Sequence, residues 1–268
     1  MLAGGVLGVV VAAGHVRAQT SQPTEAESWQ FAVTAYAYLP AISGNAYFPV
    51  SGTSESFRVN QSDLINNLKM VFMGAFDAHH GRWGFFADVL YLDLGRRNTN
   101  VHDFTIGGVG IPADTTSDVS LDMKAWIANL VGEYRVLGHS QGGTTLDAVA
   151  GVRYLSLNER LQWNFTGSIG SLPEAARSGN QEISANILYG IVGVKGQLQG
   201  DLGFMMPFYI DVGTGGSPFT WEGAIGLGYM FRWGEVSLLY RYIDFHFDSS
   251  KLQDLTIAGP MVAATFRW

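Results

Sequence analysis

The connections between predicted strands constrain this chain more than any other feature of its sequence. Ten segments alternate apolar with polar or small residues and are bounded by turn residues, as β-strands are. They cover residues 29–38, 67–78, 83–94, 120–135, 144–157, 186–198, 202–213, 221–231, 236–247 and 255–268. Tight connections alternate with longer ones, and the tight ones are 79–82, 138–143, 199–201 and 232–235. Such alternation is typical of an antiparallel up-and-down transmembrane β-barrel in an outer membrane.

The closing segment supports this fold class. Phe266 and Trp268 alternate with Thr265 and Arg267, so the last strand has one apolar face and ends on an aromatic residue. Outer-membrane barrel chains typically end in this way. We therefore predict an all-β barrel of ten strands with both termini in the periplasm. Eight or twelve strands are the alternatives. Twelve would result if segments 44–50 and 55–59 formed a hairpin that entered the wall.

Composition excludes several other classes of protein. Hydrophobic residues make up 47% of the 268 residues and charged residues 15%, whereas soluble domains have about 25% charged residues. No apolar run of about 20 residues interrupts the body of the chain, which disfavours transmembrane helices. The net charge of −7 offers no basic patch for nucleic acid. Because there is no cysteine, thiolate metal sites and disulfides are excluded. We also expect no cofactor.

The first residues indicate export. Residues 2–13 form an apolar, glycine-rich stretch of the length of a signal-peptide core, and 16–18 resemble a small-x-small cleavage site. We expect a signal peptide at 1–18, a periplasmic leader at 19–28 and the barrel at 29–268.

Aromatic residues collect near the predicted strand ends. Amphipathic rings prefer the interface between lipid and water, so two girdles are expected around a membrane barrel. The predicted periplasmic girdle contains Trp29, Trp83, Tyr134, Phe231, Trp233 and Trp268. The predicted outer girdle contains Tyr38, Tyr91, Tyr154, Trp221 and Phe247.

Strand alternation places seven charged residues on the lumen side. They are Asp88, Arg153, Lys195, Asp211, Glu222, Arg241 and Arg267. They line either a pore for small solutes or a sealed interior in which opposite charges pair, since isolated buried ions are unfavourable. Barrels of about eight strands are filled by side chains and pores have about sixteen, so ten strands favour the sealed interior. In the fourth strand Lys124, Asn129 and Glu133 do not share a parity, which indicates a bulge.

Two further groups of residues bear on function. In the first long loop, Ser62 or Asp63 would cap a short helix, and this helix either plugs the lumen or lies on the rim.

The second group is the histidines, because a lipid-modifying barrel enzyme needs a nucleophile and a base at its rim. His246 has Asp244, Asp248 and Ser249 nearby, but Asp244, His246 and Asp248 share the lipid-facing parity and no serine is placed for attack. His79 and His80 fall in a predicted tight turn, where adjacent side chains diverge rather than chelate a metal. We therefore expect neither an enzyme nor a metal site.

Several segments resemble a known family. They are 221–231 (WEGAIGLGYMF), 239–243 (LYRYI), Gly259-Pro260, the closing Phe-Arg-Trp, and 81–88 (GRWGFFAD) followed by Tyr91. Together they resemble a family of largely uncharacterised, porin-like outer-membrane barrel proteins of proteobacteria, over most of the mature chain. The segment 211–218 (DVGTGGSP) departs from the family's pattern by lacking a phenylalanine.

The resemblance implies an outer-membrane barrel and no known catalytic residue. It also implies that Phe266 and Trp268 form the signal read by the barrel-assembly machinery. We expect a monomer in contact with outer-membrane lipid and lipopolysaccharide, acting as a structural or narrow porin-like protein. The alternatives are a lipid-modifying enzyme and an adhesion or receptor barrel that uses its long loops.

Overall fold

The structure, a computed structural model, describes residues 28–48, 53–99, 105–106, 109–110, 116–138, 143–166, 178–247 and 252–268. The predicted signal peptide at 1–18 and the predicted leader, except Ser28, lie outside these ranges. Within them, no helix has the length and hydrophobicity needed to cross a membrane.

The described chain is almost entirely β-structure. Its strands are β1 (Trp29–Tyr38), β2 (Ala41–Phe48), β3 (Thr53–Val59), β4 (Leu68–His80), β5 (Trp83–Thr99), β6 (Thr105–Ile106), β7 (Val109–Gly110), β8 (Thr116–Leu137), β9 (Thr145–Thr166), β10 (Ser178–Gln199), β11 (Phe204–Thr214), β12 (Phe219–Met230), β13 (Gly234–His246) and β14 (Leu252–Arg267). A helix, α1 (Gln61–Asn67), precedes β4, and a 3-10 turn (Asp201–Gly203) precedes β11.

Ten of these strands form a closed antiparallel wall. Their order is β1-β4-β5-β8-β9-β10-β11-β12-β13-β14, and β1 pairs with β14 to close the barrel. Closure satisfies the backbone hydrogen bonds of both would-be edge strands, which a membrane interior requires. The prediction of an all-β, ten-stranded barrel is confirmed.

The β2–β3 hairpin stays outside the closed wall. β2 follows β1 in line along β14, since Tyr38 pairs with Met261 and Ala41 pairs with Ala258. At the break between β1 and β2 the chain passes close to Gly259, where an added Cβ would lie 2.4 Å from the Leu39 carbonyl oxygen. The hairpin therefore extends one side of the barrel, and the wall does not gain the two strands of the twelve-stranded alternative.

The two ends of the barrel differ in length. Four short connections, at 81–82, 138–144, 200–203 and 231–233, mark what we call the tight-turn end, and we call the opposite end the loop end. Several strands continue further toward the loop end than predicted, because their polar outer segments still pair: β8, β9 and β10 each have 22 residues. At about 3.4 Å per residue such a strand is about 75 Å long, far more than a membrane crossing needs.

Side chains alternate between lumen and exterior without interruption along most of β8. Its register with β9 is continuous from Thr116 to Arg135, and the shift comes only between Arg135 and Leu137. The predicted bulge among Lys124, Asn129 and Glu133 was therefore wrong. Lys124 points outward above the apolar band, near Asp93 at 3.6 Å, whereas the other two are buried inside.

An apolar band surrounds the exterior. On β8 the outward side chains from Trp126 to Tyr134 are apolar or glycine, over about 27 Å of strand. At a tilt of ~40° this corresponds to about 21 Å of height, close to the ~25 Å band of outer-membrane barrels. Toward the loop end the band gives way to charged pairs, Lys69–Asp122, Lys124–Asp93 and Arg160–Glu182.

The predicted loop helix is present as α1. Its first hydrogen bond runs from the Leu64 amide to the Asn60 carbonyl at 3.0 Å, so Asn60, rather than Ser62 or Asp63, occupies the capping position. Leu64 is fully buried in the apolar cluster of the lumen. The helix is thus fastened over the lumen by a single apolar side chain.

Candidate functional site in the barrel lumen

The seven charged residues predicted to face the lumen all do so in the structure. Asp88, Asp211, Glu222, Arg153 and Arg241 are buried together halfway along the barrel. Lys195 and Arg267 lie nearer the tight-turn end and are partly exposed. Successive side chains of a strand point to opposite faces, so once one residue faces the lumen, every second residue along that strand faces it too.

Arg153 is the centre of the buried network. Its guanidinium donates to Asp211 and Glu222, both at 2.5 Å, and its side chain has 0% exposure. It also donates to Asn129 at 2.8 Å and to Thr220 at 3.1 Å. These contacts draw on β8, β9, β11 and β12, so one side chain ties together four strands across the lumen.

Arg241 continues the network toward β1 and β5. It donates to Glu222 at 2.7 Å, to Asp88 at 2.6 Å and to the Tyr36 hydroxyl at 3.2 Å. Tyr36 in turn donates to Asp88 at 2.6 Å. Two guanidinium groups and three carboxylates are therefore joined directly, as the sealed-interior alternative requires.

An apolar cluster fills the lumen on the loop side of this network. It includes Tyr38, Ile42, Leu90, Ile127, Leu155, Tyr189, Ile191, Phe245 and Ile257, each with at most 2% exposure. Side chains along a water-filled path would keep part of their surface accessible. The network and the cluster therefore close this part of the lumen, in the described residues, to a continuous column of water.

A cavity of about 450 Å³ occupies the tight-turn half of the lumen. It extends from Arg241 and Glu222 to Gln30 and Trp268 beside the tight-turn end. Arg267 lines it and is 44% exposed, so the cavity communicates with solvent at that end. The lumen is thus a blind pocket rather than a channel through the described wall.

Ion pairs also line the wall of this pocket. Arg135 donates to both carboxylate oxygens of Asp147, at 2.5 and 3.0 Å. Arg267 donates to Glu235 at 2.5 Å and to the Gln197 side chain at 3.3 Å. Both positive and negative side chains line the cavity, so its charge does not favour anions over cations or the reverse.

A cluster that the sequence reasoning missed lies on the same wall. His79 was placed in a turn, and this was wrong: β4 runs to His80, so His79 keeps the inward parity of Asp77. Its Nε2 atom is 2.6 Å from a Glu133 oxygen and 3.4 Å from an Asp77 oxygen. Lys195 donates to Glu133 at 2.7 Å and to Asp77. Extending the alternation from Asp77 by two residues would have placed His79 in the lumen, although not beside Glu133 and Lys195.

The predicted girdle residues lie on the exterior or at the rims. Trp29, Trp83, Tyr134, Tyr154, Phe231, Trp233 and Trp268 are exposed, and Tyr91 and Trp221 are half-buried. The prediction was wrong for Tyr38, which is buried in the lumen, and Phe247 packs against the same apolar cluster. Neighbouring strands bring their rings into contact, as in Trp83–Tyr134 at 4.9 Å and Tyr91–Trp126 at 4.4 Å between ring centroids. These contacts form short aromatic rows at both ends of the apolar band.

The last strand closes the barrel beside the first. Trp268 exchanges two backbone hydrogen bonds with Phe31, at 3.0 and 3.1 Å, while its ring stays exposed. Phe266 is exposed as well and contacts the Trp233 ring at 4.9 Å. Both predicted assembly-signal residues therefore present their rings to the exterior at the tight-turn end.

The rim around His246 brings together a histidine and a carboxylate only. His246 is exposed, its Nδ1 lies 3.8 Å from Asp244, and its ring faces Phe219. Asp244 accepts a hydrogen bond from Thr256 at 3.0 Å. Asp248 and Ser249 lie outside the described residues, so the described rim places no nucleophile at His246.

Comparisons with known proteins concern the fold. No family model matches the sequence, and no curated protein matches it. Among solved structures, the outer membrane protease OmpT from Escherichia coli matches with a TM-score of 0.53 and 9% identity, over 90% of this chain and 97% of that one. The translocator domain of the autotransporter NalP from Neisseria meningitidis matches with a TM-score of 0.41 and 15% identity, over 90% and 88%.

At such identities the likeness to OmpT shows a shared barrel fold and nothing about activity. The NalP match is too distant to carry an argument. The fold of this chain is that of an outer-membrane β-barrel, as the sequence predicted.

Proposed function

We propose that the protein is a monomeric outer-membrane barrel with a closed lumen, which serves a structural role and does not conduct solutes. The observation that carries this is the buried network of Arg153 and Arg241 with its apolar cover. Three carboxylates and two guanidinium groups that bind one another and are buried leave no hydrated charged lining for an ion to follow.

A location in the outer membrane of a Gram-negative bacterium is supported by the exterior. The apolar band is of membrane height, aromatic rings lie at both of its ends, and charged pairs follow beyond it. Lipid and the headgroups of lipopolysaccharide are the expected partners of these surfaces, and the assembly machinery that of Trp268. The tight turns then face the periplasm, together with the strand ends at Trp29 and Arg267, and the cavity opens there.

A second role is favoured by the unequal strand lengths. The 22-residue strands β8, β9 and β10 and the β2–β3 hairpin rise beyond the apolar band on the loop side. A paired, stiff extension positions the connecting loops well away from the lipid. Presentation of these loops to a surface ligand, as in an adhesion or receptor barrel, is compatible with the closed lumen.

Fractionation and solute exchange test the proposal. The protein is expected in the outer-membrane fraction, with a mobility on gels that changes when the sample is boiled. Liposomes that contain the purified protein should retain small sugars as well as empty liposomes do. A soluble protein would refute the location, and rapid sugar exchange would refute the closed lumen. Residues 167–177 connect β9 to β10. If their deletion leaves binding of whole cells to a host-cell surface unchanged, the presentation role is contradicted.

A further inference from the structure

The cluster of Asp77, His79 and Glu133 has the composition of a metal site. We propose that it binds one divalent transition-metal ion, with Zn²⁺ as the best match, at the wall of the cavity. One imidazole nitrogen and two carboxylate oxygens are ligands that zinc uses in proteins, and three protein ligands leave a fourth position for water. This proposal does not depend on whether the barrel conducts.

The distances between the candidate ligand atoms fit a shared ion. The three atoms all lie within 4.8 Å of one another. The Nε2 atom of His79 is 2.6 Å from Glu133 and 3.4 Å from Asp77. Ligands placed about 2.0–2.2 Å from a tetrahedral zinc ion stand about 3.4 Å apart. The separation of His79 from Asp77 already fits this value, and the separation of His79 from Glu133 must widen by about 0.8 Å.

The register of three strands creates this arrangement. His79 of β4 pairs with Gly84 of β5, and Gly84 pairs with Glu133 of β8, so the three residues form one row across the wall. A Cβ at Gly84 would lie 2.6 Å from His79 Nδ1. The missing side chain lets the imidazole lie over the middle strand and meet the carboxylate two strands away.

Buried atoms without partners point to a ligand. The side chains of His79 and Glu133 have 6% and 0% exposure. Within the described structure Glu133 Oε2 forms no hydrogen bond, although it lies 2.6 Å from His79 Nε2. Buried polar atoms normally have a partner, and a cation held between these two atoms would supply one. His79 Nδ1 faces Gly84 and would not contact this ion. Asp77 and His79 line the cavity, which gives an ion a path from the tight-turn end.

Lys195 is the competitor for the same position. Its ammonium contacts Asp77 and Glu133 and lies 4.3 Å from the centre of the Phe86 ring. The single positive charge of Lys195 neutralises only one of the two carboxylates, whereas a divalent ion neutralises both. Its flexible stem and the adjoining cavity allow the ammonium to withdraw when a metal enters. Arg135 pairs with Asp147, and its guanidinium also lies 3.3 Å from His79 Nε2, so a metal at this position displaces that contact as well.

Zinc binding by the purified, folded full chain tests the proposal. After removal of metal with a chelator, Zn²⁺ is added and its affinity is measured by competition with a chromophoric chelator. The expected result is a single Zn²⁺ per chain, lost in His79→Ala and in Glu133→Gln. Lys195→Met should tighten binding by about tenfold or more, because an ammonium beside a divalent ion is repelled.

His80→Ala is the matched control. His80 is adjacent in sequence but points outward to the Trp29 ring, so its removal should leave zinc affinity unchanged. Boiling-dependent gel mobility establishes that each variant is folded, and Lys195→Met supplies a gain of affinity that misfolding cannot imitate. Absence of stoichiometric zinc, or equal loss in His79→Ala and His80→Ala, would overturn the proposal.

Discussion

Replacement of Arg153 by methionine probes the buried network most sharply. Methionine keeps an unbranched side chain in the lumen and removes four hydrogen-bond contacts, two of them to carboxylates. The buried network would then contain one cation instead of two, with the same three carboxylates. Asp211 would then be left without a positive partner among the described residues.

The size of the effect follows from the burial. Removal of one partner from a buried ion pair costs about 3–5 kcal/mol, because a charge stays buried without compensation. Arg153 has 0% exposure and its two carboxylate partners at most 4%, so solvent screening gives little relief. We expect Arg153→Met to lower the free energy of unfolding by about 3–5 kcal/mol. Adding Asp211→Asn should restore part of this loss, because it removes the orphaned charge.

Arg160→Met is the matched control for the same chemical change. Arg160 pairs with Glu182 at 3.5 Å, and both side chains are more than half exposed. Surface pairs of this kind contribute about 0–1 kcal/mol. Urea titration in lipid vesicles, followed by tryptophan fluorescence, measures both variants. If Arg153→Met destabilises the barrel no more than Arg160→Met, the network does not hold the lumen together and the reasoning is refuted.

Three further substitutions test other parts of the structure. Tyr36→Phe should cost about 1–3 kcal/mol in the same titration, since the buried Asp88 loses one of its two side-chain donors; an unchanged stability would contradict this role of the hydroxyl. Gly226→Ala places a Cβ 2.1 Å from a carbonyl oxygen of the next strand and should cost about 1–3 kcal/mol. Gly132→Ala, with its nearest atom at 3.8 Å, should stay within about 0.5 kcal/mol. Trp268→Ala should lower the amount of assembled barrel in outer membranes more than Trp233→Ala does, and equal amounts would contradict the assembly role.

Period-two alternation explains why most of the wall could be predicted. Once Arg153 and Asp211 are assigned to the lumen, their neighbours at every second position follow, and the tight turns fix the strand order. The outer parts of β8, β9 and β10 were assigned to loops, because beyond the lipid both faces become polar and alternation disappears. Lys124 belongs to this region, where a charged side chain can face outward. It therefore lies on the opposite face of β8 from Asn129 and Glu133, and no bulge is needed to explain this.

The cluster around His79 could not be predicted for a different reason. Its members come from β4, β8 and β10, and their meeting depends on the register across Gly84. A single sequence does not encode that register in its local pattern. The strand boundary at His80 also falls at paired histidines that resemble a turn, which moved His79 out of the lumen in the prediction.

Conductance through planar lipid bilayers tests the closed lumen most directly. Purified, folded protein should insert without raising the ionic current above that of a bilayer without protein. The reason is that fully buried side chains, among them Arg153 and Phe245, block the described lumen. Discrete, reproducible steps of current from the parent protein would contradict this.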